Sequence, residues 1–173
     1  MSRLTFCSVL ISSLLVGSQV LAQATNFEAT AVCNFDATKQ VVVEYERVSF
    51  DVKKRIWGKE IQYGKVWAPG GKPMTLFTNT PISIAGTTLA AGAYTLFVIP
   101  DEKKWTLVVS KSSDTSGKYD EKYDAARVPM EFGELSSPEP EFSVYFGHVA
   151  SDQCNMRLDL EKTRAWVTIR ENK

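Results

Sequence analysis

The sequence predicts an all-β fold: a single-domain antiparallel β-sandwich, with a jelly roll as one possible strand arrangement, after a cleaved N-terminal signal peptide. Beyond the first 24 residues, apolar side chains recur at every second position in roughly eight to ten short segments. Glycine, proline and polar residues separate the segments, and none has helical periodicity. With 173 residues, 44% of them hydrophobic, the chain suits one well-buried domain.

Residues 86–111 predict a β-hairpin around which the rest of the chain is organised. Residues 93–99 carry apolar side chains on both faces, which is typical of a central strand. Pro100 ends this strand, and the polar residues 101–104 form a turn. Trp105, Leu107 and Val109 then resume the alternation, so residues 105–111 are predicted to be the partner strand.

The remaining segments complete the predicted sheets. Residues 25–31 are predicted to be a loose lead-in, residues 135–141 a proline-bearing loop and residues 149–153 a turn. Pro129 marks its segment as an edge or bulged strand. The basic end of residues 48–57 is interpreted as a solvated strand end, with a binding patch as the alternative. The predicted strands are residues 40–47, 48–57, 74–79, 81–85, 127–132 and 142–148.

The C-terminal segment carries the clearest local pattern in the sequence, and it predicts a second hairpin that turns at Lys162 and Thr163. Its two halves alternate apolar and polar residues, and a one-residue slip would turn an apolar row to water. The expected cross-strand pairs are Leu160 with Ala165, Leu158 with Val167, Met156 with Ile169, and Asp159 with Trp166.

The N-terminus, MSRLTFCSVLISSLLVGSQVLAQA, is typical of a signal peptide, with Arg3 ahead of a short apolar run and small residues. Cleavage is predicted after Ala22, which gives residues 1–22 as the signal and 23–173 as the domain, or alternatively after Ala24. A membrane anchor is the alternative, but the run is short and contains serines. The expected location is periplasmic or secreted, with no membrane span after cleavage.

The charge balance of the sequence limits the class of partner that the protein binds. The 20 basic and 20 acidic residues balance, which argues against nucleic acid or anionic lipid as a partner.

Signal cleavage leaves Cys33 and Cys154, which in an oxidising compartment predict a disulfide. A metal-binding thiolate pair and two free core thiols remain as alternatives.

Few residues offer catalytic or metal chemistry. His148 is the only histidine, and a strand-end role is favoured over that of a catalytic base. No GxSxG motif occurs. Lys118 and Lys122 interrupt the acidic residues of their loop, whose spacing fits no calcium loop. We therefore expect no metal and no cofactor.

Aromatic residues at irregular positions suggest a ligand site. Trp57, Tyr63, Trp67, Tyr119 and Tyr123 could line a sugar-binding or stacking cleft, although tryptophans that close the end of the core are the favoured alternative. The loop at residues 67–73 adds two glycines and a cation. The predicted ligand-binding residues are Trp57, Tyr63, Trp67 and Lys72.

These features favour a non-enzymatic exported module that binds a small molecule or an envelope protein through its end loops. One alternative is a structural envelope protein. The other is a hydrolase-type enzyme that would use loop carboxylates together with His148; the carboxylates in question are Asp120, Glu121 and Asp124.

Three motifs resemble a family of exported bacterial proteins known as domain of unknown function 2911. They are YGKVW at 63–67, LAAGAYTLFVIP at 89–100 and WTL at 105–107, and the likeness spans residues 41–146. The resemblance implies export and a β-rich fold and supplies no activity, catalytic residue or cofactor. Family members usually continue after the motif Trp with an Arg-Thr-Gly-Ala-Asn-like stretch, whereas this chain has APGGK at 68–72. If those polar residues form a site in relatives, that site is lost or altered here.

Overall fold

The computed structural model describes residues 27–172, so the predicted signal peptide and its cleavage site lie outside the described residues. Short 3-10 turns at Pro69–Gly71 and Glu121–Tyr123 are the helical elements of this part of the chain. The strands are β1 (Phe27–Asn34), β2 (Gln40–Arg47), β3 (Met74–Thr78), β4 (Ile82–Ile84), β5 (Thr87–Leu89), β6 (Gly92–Ile99), β7 (Thr106–Ser110), β8 (Asp124–Pro129), β9 (Glu131–Ala150) and β10 (Gln153–Glu171).

Two antiparallel sheets confirm the predicted all-β sandwich. One has six strands in the order β1-β2-β3-β6-β7-β8, and the other has four in the order β5-β4-β10-β9. Their inward side chains form one hydrophobic core, as alternation on both sheets requires. Strand β6 lies inside the larger sheet and pairs with β7, as the central hairpin predicts. Within residues 27–172, no helix has the length and hydrophobicity needed to cross a membrane.

The predicted C-terminal hairpin is wrong, because residues 153–171 form the single strand β10. Leu158 lies opposite Val144 rather than Val167, and Met156 lies opposite Phe146 rather than Ile169. Ala165 lies opposite Phe132 rather than Leu160, and Trp166 lies opposite Glu131 rather than Asp159. Asp159 lies opposite Ser143, and Leu160 falls in the irregular register between Asp159 and Glu161.

Turn chemistry explains this difference. Lys162 and Thr163 supply neither the glycine nor the asparagine that tight hairpin turns favour, so the chain continues instead of reversing. Register shifts flank Glu161, whose φ of 53° marks an irregularity in the strand. The inward residues on both sides of this bulge stay buried, so the apolar pattern is satisfied without a turn.

Three other expectations also need correction. Residues 25–31 are not wholly a loose lead-in, because β1 begins at Phe27 and pairs with β2 over its full length. Residues 135–141 are not a loop but part of β9, whose prolines are tolerated because β9 is an edge strand. Residues 48–57 are mostly irregular, with isolated bridges from Ser49 to Glu141 and from Trp57 to Ile61.

An ion pair fixes β10 across its bulge. Asp159 is only 2% exposed, and its two carboxylate oxygens accept hydrogen bonds from Nε and Nη2 of Arg164 at 2.8 and 2.5 Å. Bidentate, charge-assisted pairs of this kind are among the strong hydrogen bonds of proteins. The hydrogen bond raises the pKa of Arg164 above its usual value. Arg164 thus provides hydrogen-bond donors to the Asp159 carboxylate, which is buried away from water.

Substitution of Leu158 tests the position of the core. Leu158 is fully buried, and we expect Leu158→Ala to lower the free energy of unfolding by about 2 to 5 kcal/mol, because it removes packed methyl groups and leaves a cavity. Urea unfolding measures the change. Val149→Ala is the control, since Val149 is 55% exposed and its loss should change stability by no more than about 0.5 kcal/mol. Equal effects of both substitutions would contradict the observed register.

Candidate functional site

The structure places Trp57 and Trp67 in an aromatic cluster with Trp105. The ring centroids of Trp57 and Trp67 lie 5.0 and 6.4 Å from that of Trp105, in edge-to-face arrangements. Trp67 also packs 5.4 Å from Phe142 of the opposite sheet, and its backbone pairs with Val98. Because Trp105 is 1% exposed and the other two pack against the core, the contacts favour tryptophans that close the end of the sandwich.

Tyr63 lies beside this cluster, in the loop that follows Trp57. A Cβ at Gly58 would come 3.2 Å from the Tyr63 ring, and Gly58 has a φ of 74° that favours glycine. Burial raises the pKa of Tyr63 above its usual value. The tyrosine therefore packs on the turn that presents Trp57, so that three of the predicted ligand-binding residues share one region.

Lys72 lies elsewhere, on the solvent face of the six-stranded sheet. Its Nζ is 2.8 Å from a carboxylate oxygen of Glu46, and this hydrogen bond raises the pKa of Lys72. The lysine side chain remains 59% exposed. The structure thus separates the predicted cation from the predicted aromatic side chains.

Lys72 forms part of the wall of a groove of about 340 Å³. The floor is the outward face of β1, β2 and β3, where Thr30 lies opposite Glu44 and Glu44 lies opposite Thr75. Glu28 lies opposite Glu46 on the same face. The groove is lined by Glu28, Ala29, Thr30, Glu44, Tyr45, Glu46, Lys72, Pro73, Thr75 and Thr115.

Two loops form the walls of the groove and meet each other. The 3-10 turn Pro69–Gly71 packs on β2 so closely that a Cβ at Gly70 would lie 2.7 Å from a carboxylate oxygen of Glu46. A Cβ at Gly117, in the loop that carries Thr115, would lie 2.3 Å from the carbonyl oxygen of Gly71. Both glycines also have positive φ, so close approach and backbone conformation each require glycine there.

The floor of the groove places two carboxylates opposite each other. Like charges directly opposite each other on neighbouring strands are unfavourable, and Glu28 and Glu46 are such a pair. Lys72 offsets part of this repulsion through its ion pair with Glu46. Local features that oppose stability are typical of functional sites, so this acidic floor is the best candidate for a binding surface.

Residues 28–169 match the family model described as a protein of unknown function, DUF2911. The chain belongs to this family. The match confirms the resemblance that the three motifs indicated, and it includes both cysteines and all of the groove-lining residues. No curated protein matches the chain, and neither does any solved structure.

In this DUF2911 member, the carboxylates considered for hydrolysis hold their own loop in place. Asp124 accepts hydrogen bonds from the hydroxyl of Tyr119 at 2.7 Å and from Arg127 at 2.6 Å. Burial, together with the bond to Asp124, raises the pKa of Tyr119 to about 12. Asp120 pairs with Lys122 at 2.7 Å, and hydrogen bonds from Lys122 lower its pKa. A carboxylate oxygen of Glu121 lies 3.4 Å from Nη2 of Arg127.

His148 lies far from these carboxylates. They sit beside β8, at one edge of the six-stranded sheet, whereas His148 lies near β1 at the other edge, because it contacts the cysteine pair. The structure does not bring the hydrolase candidates together. It places His148 directly opposite Cys154 across the β9–β10 turn, with Nδ1 3.7 Å from the sulfur.

The predicted disulfide between Cys33 and Cys154 is present. It joins β1 of the larger sheet to β10 of the smaller one, with the two Cα atoms 6.5 Å apart. Both cysteines are essentially inaccessible to solvent, at 1% and 0% exposure. The sequence analysis singled out His148 but missed its position beside the cysteines, although the predicted turn at 149–153 brings residues 148 and 154 close together.

Proposed function

We propose that this protein is exported and uses the groove to bind a small polar, hydroxyl-bearing ligand such as a sugar, without catalysing a reaction. The observation that carries the proposal is the Glu28–Glu46 pair, opposed across β1 and β2 beneath the Lys72 ammonium. Support for export comes from the signal-like N-terminus and from the disulfide, which is stable in oxidising compartments. The periplasm or the extracellular space is the proposed location.

The groove chemistry suits such a ligand. Carboxylates accept hydrogen bonds from hydroxyl groups, the threonine hydroxyls both donate and accept, and an ammonium donates. These groups line one concave surface through Glu44, Thr30, Thr75 and Lys72. Glu28 and Glu44 are exposed, so the groove lacks the exclusion of water that acid–base catalysis in a closed site provides. Binding without catalysis is therefore the proposed behaviour.

Lys72→Ala should abolish binding while leaving the melting temperature nearly unchanged, because the lysine is exposed and surface ion pairs contribute only about 0 to 1 kcal/mol. A panel of neutral hexoses, amino sugars and polyols, titrated against isotope-labelled protein, provides the probes. The measurement is the amide NMR shift at Thr30, Glu44 and Thr75. Lys54→Ala is the matched control, since Lys54 also pairs with a nearby carboxylate but lies outside the groove. Saturable shifts that survive Lys72→Ala would contradict the groove assignment.

Trp67→Ala tests whether the ligand binds in the groove or at the tryptophan cluster. If Trp67 closes the core, its removal should lower the free energy of unfolding by about 3 kcal/mol, because large aromatic truncations leave cavities. The ring contacts of Trp67 with Trp105 and Phe142 support this expectation. Urea unfolding gives the stability change, and the same ligand titration gives the affinity. Unchanged stability with lost binding would instead place the ligand at the tryptophans.

A further inference from the structure

Outside the groove, Cys33, His148 and Cys154 bring three metal-ligating atoms together, all within 4.8 Å of one another. The residues come from three different strands, β1, β9 and β10. Register places His148 beside the sulfur, because it is the cross-strand partner of Cys154. Two sulfurs and one imidazole therefore converge at a point that joins the two sheets.

We propose that reduction of this disulfide opens a Cu(I) site formed by the Cys33 and Cys154 thiolates and by Nδ1 of His148. Soft thiolate ligands favour Cu(I), and imidazole also suits copper. Among residues 27–172, the cluster contains these three ligands and no fourth cysteine, histidine or carboxylate. Three-coordinate binding suits Cu(I), whereas structural Zn(II) sites take four ligands.

The distances agree with a shared metal. Metal bonds of about 2.3 Å to sulfur and about 2.0 Å to nitrogen, at trigonal angles, separate a sulfur from a nitrogen by about 3.7 Å. Cys154 Sγ and His148 Nδ1 are 3.7 Å apart. Once the bond between the sulfurs is broken, they need to move from about 2 Å to about 4 Å apart to complete the triangle.

The chemistry balances with a dithiol as reductant. A partner dithiol transfers two electrons and two protons to the disulfide, which becomes two thiols while the partner becomes a disulfide. Cu(I) then forms two Cu–S bonds and one Cu–N bond, and the two thiol protons are released to solvent. His148 is solvent-exposed while both sulfurs are buried, so the metal enters from the histidine side.

The test uses the full chain without its signal peptide, either oxidised or reduced anaerobically with a phosphine that is then removed. Cu(I) is supplied as its coloured bicinchoninate complex, and loss of absorbance measures transfer to the protein. The reduced protein should take up one equivalent and melt at a higher temperature with Cu(I) than without. The oxidised protein and the double variant Cys33→Ser/Cys154→Ser should take up none.

Substitutions at and beside His148 test whether its imidazole binds Cu(I) or only lies near the site. His148→Ala should weaken Cu(I) binding by about tenfold or more, since even indirect partners of a metal contribute that much. Val149→Ala, at an exposed adjacent position, should bind like the parent. X-ray absorption of the loaded protein should show two sulfurs and one nitrogen. The proposal is overturned if reduction unfolds the protein irrespective of Cu(I), if no Cu(I) binds, if His148→Ala binds as tightly as the parent, or if Zn(II) displaces Cu(I).

Discussion

Removal of the Cys33–Cys154 disulfide is expected to lower the free energy of unfolding by about 4 to 5 kcal/mol. The bond closes a long loop, because its cysteines are 121 residues apart in sequence. In the chain-entropy model, such a cross-link stabilises chiefly by reducing the conformational freedom of the unfolded chain. Because a whole domain has only about 5 to 15 kcal/mol of stability, this is among the largest single contributions available.

The measurement is urea unfolding of the oxidised protein and of Cys33→Ala/Cys154→Ala. Alanine keeps the two positions apolar, which matters because both are buried in the core. The slope of the denaturant dependence should also rise, since an unfolded chain without the cross-link exposes more surface. A loss below about 1 kcal/mol would contradict the chain-entropy account for this bond.

Truncation of Arg164 is expected to lower the free energy of unfolding by about 3 kcal/mol. Arg164→Ala leaves the Asp159 carboxylate, which is 2% exposed, without its bidentate partner. An unpaired buried charge is far more costly than the net value of the intact pair. The Arg164 side chain is 33% exposed, so water reaching the vacated space should keep the loss at the lower end of the range for buried pairs.

A double substitution distinguishes the loss of the ion pair from the cost of leaving one buried charge unpaired. Asp159→Leu/Arg164→Met removes both charged groups and keeps comparable side-chain volume, so it should be much closer to the parent in stability than Arg164→Ala. Thermal unfolding of the single and double variants completes the comparison. If the double variant is as unstable as Arg164→Ala, the loss arises from distortion of the β10 bulge and not from an unpaired carboxylate.

Local alternation was sufficient to predict much of the sandwich but not its long hairpin. Strand β2 matches its predicted bounds because the inward Val41, Val43 and Tyr45 alternate with polar residues. The same alternation in residues 156–169 fits either two paired strands or one strand with a bulge. The difference depends on the partner strand β9, whose pairing is non-local and therefore absent from the pattern.

The candidate sites show the same limit. Lys72 was predicted from its loop, yet its partner Glu46 and the opposed Glu28 are known only once β1 pairs with β2. Two cysteines behind a predicted signal peptide predict a disulfide from composition alone, whereas the adjacent histidine depends on cross-strand register. Residue types thus indicate available chemistry, and strand pairing decides which groups meet.

The placement of prolines in β9 bears on how separate copies of the chain avoid aggregation. A 20-residue strand at the edge of a sheet is a template on which an identical strand can pair. Pro138 and Pro140 lack the amide hydrogens that such pairing needs, and residues 48–50 already hydrogen-bond to β9 near Pro140. Glu139 and Glu141 would bring like charges together in a paired copy. Prolines, charges and a covering segment are the features by which natural edge strands resist fibril-like growth.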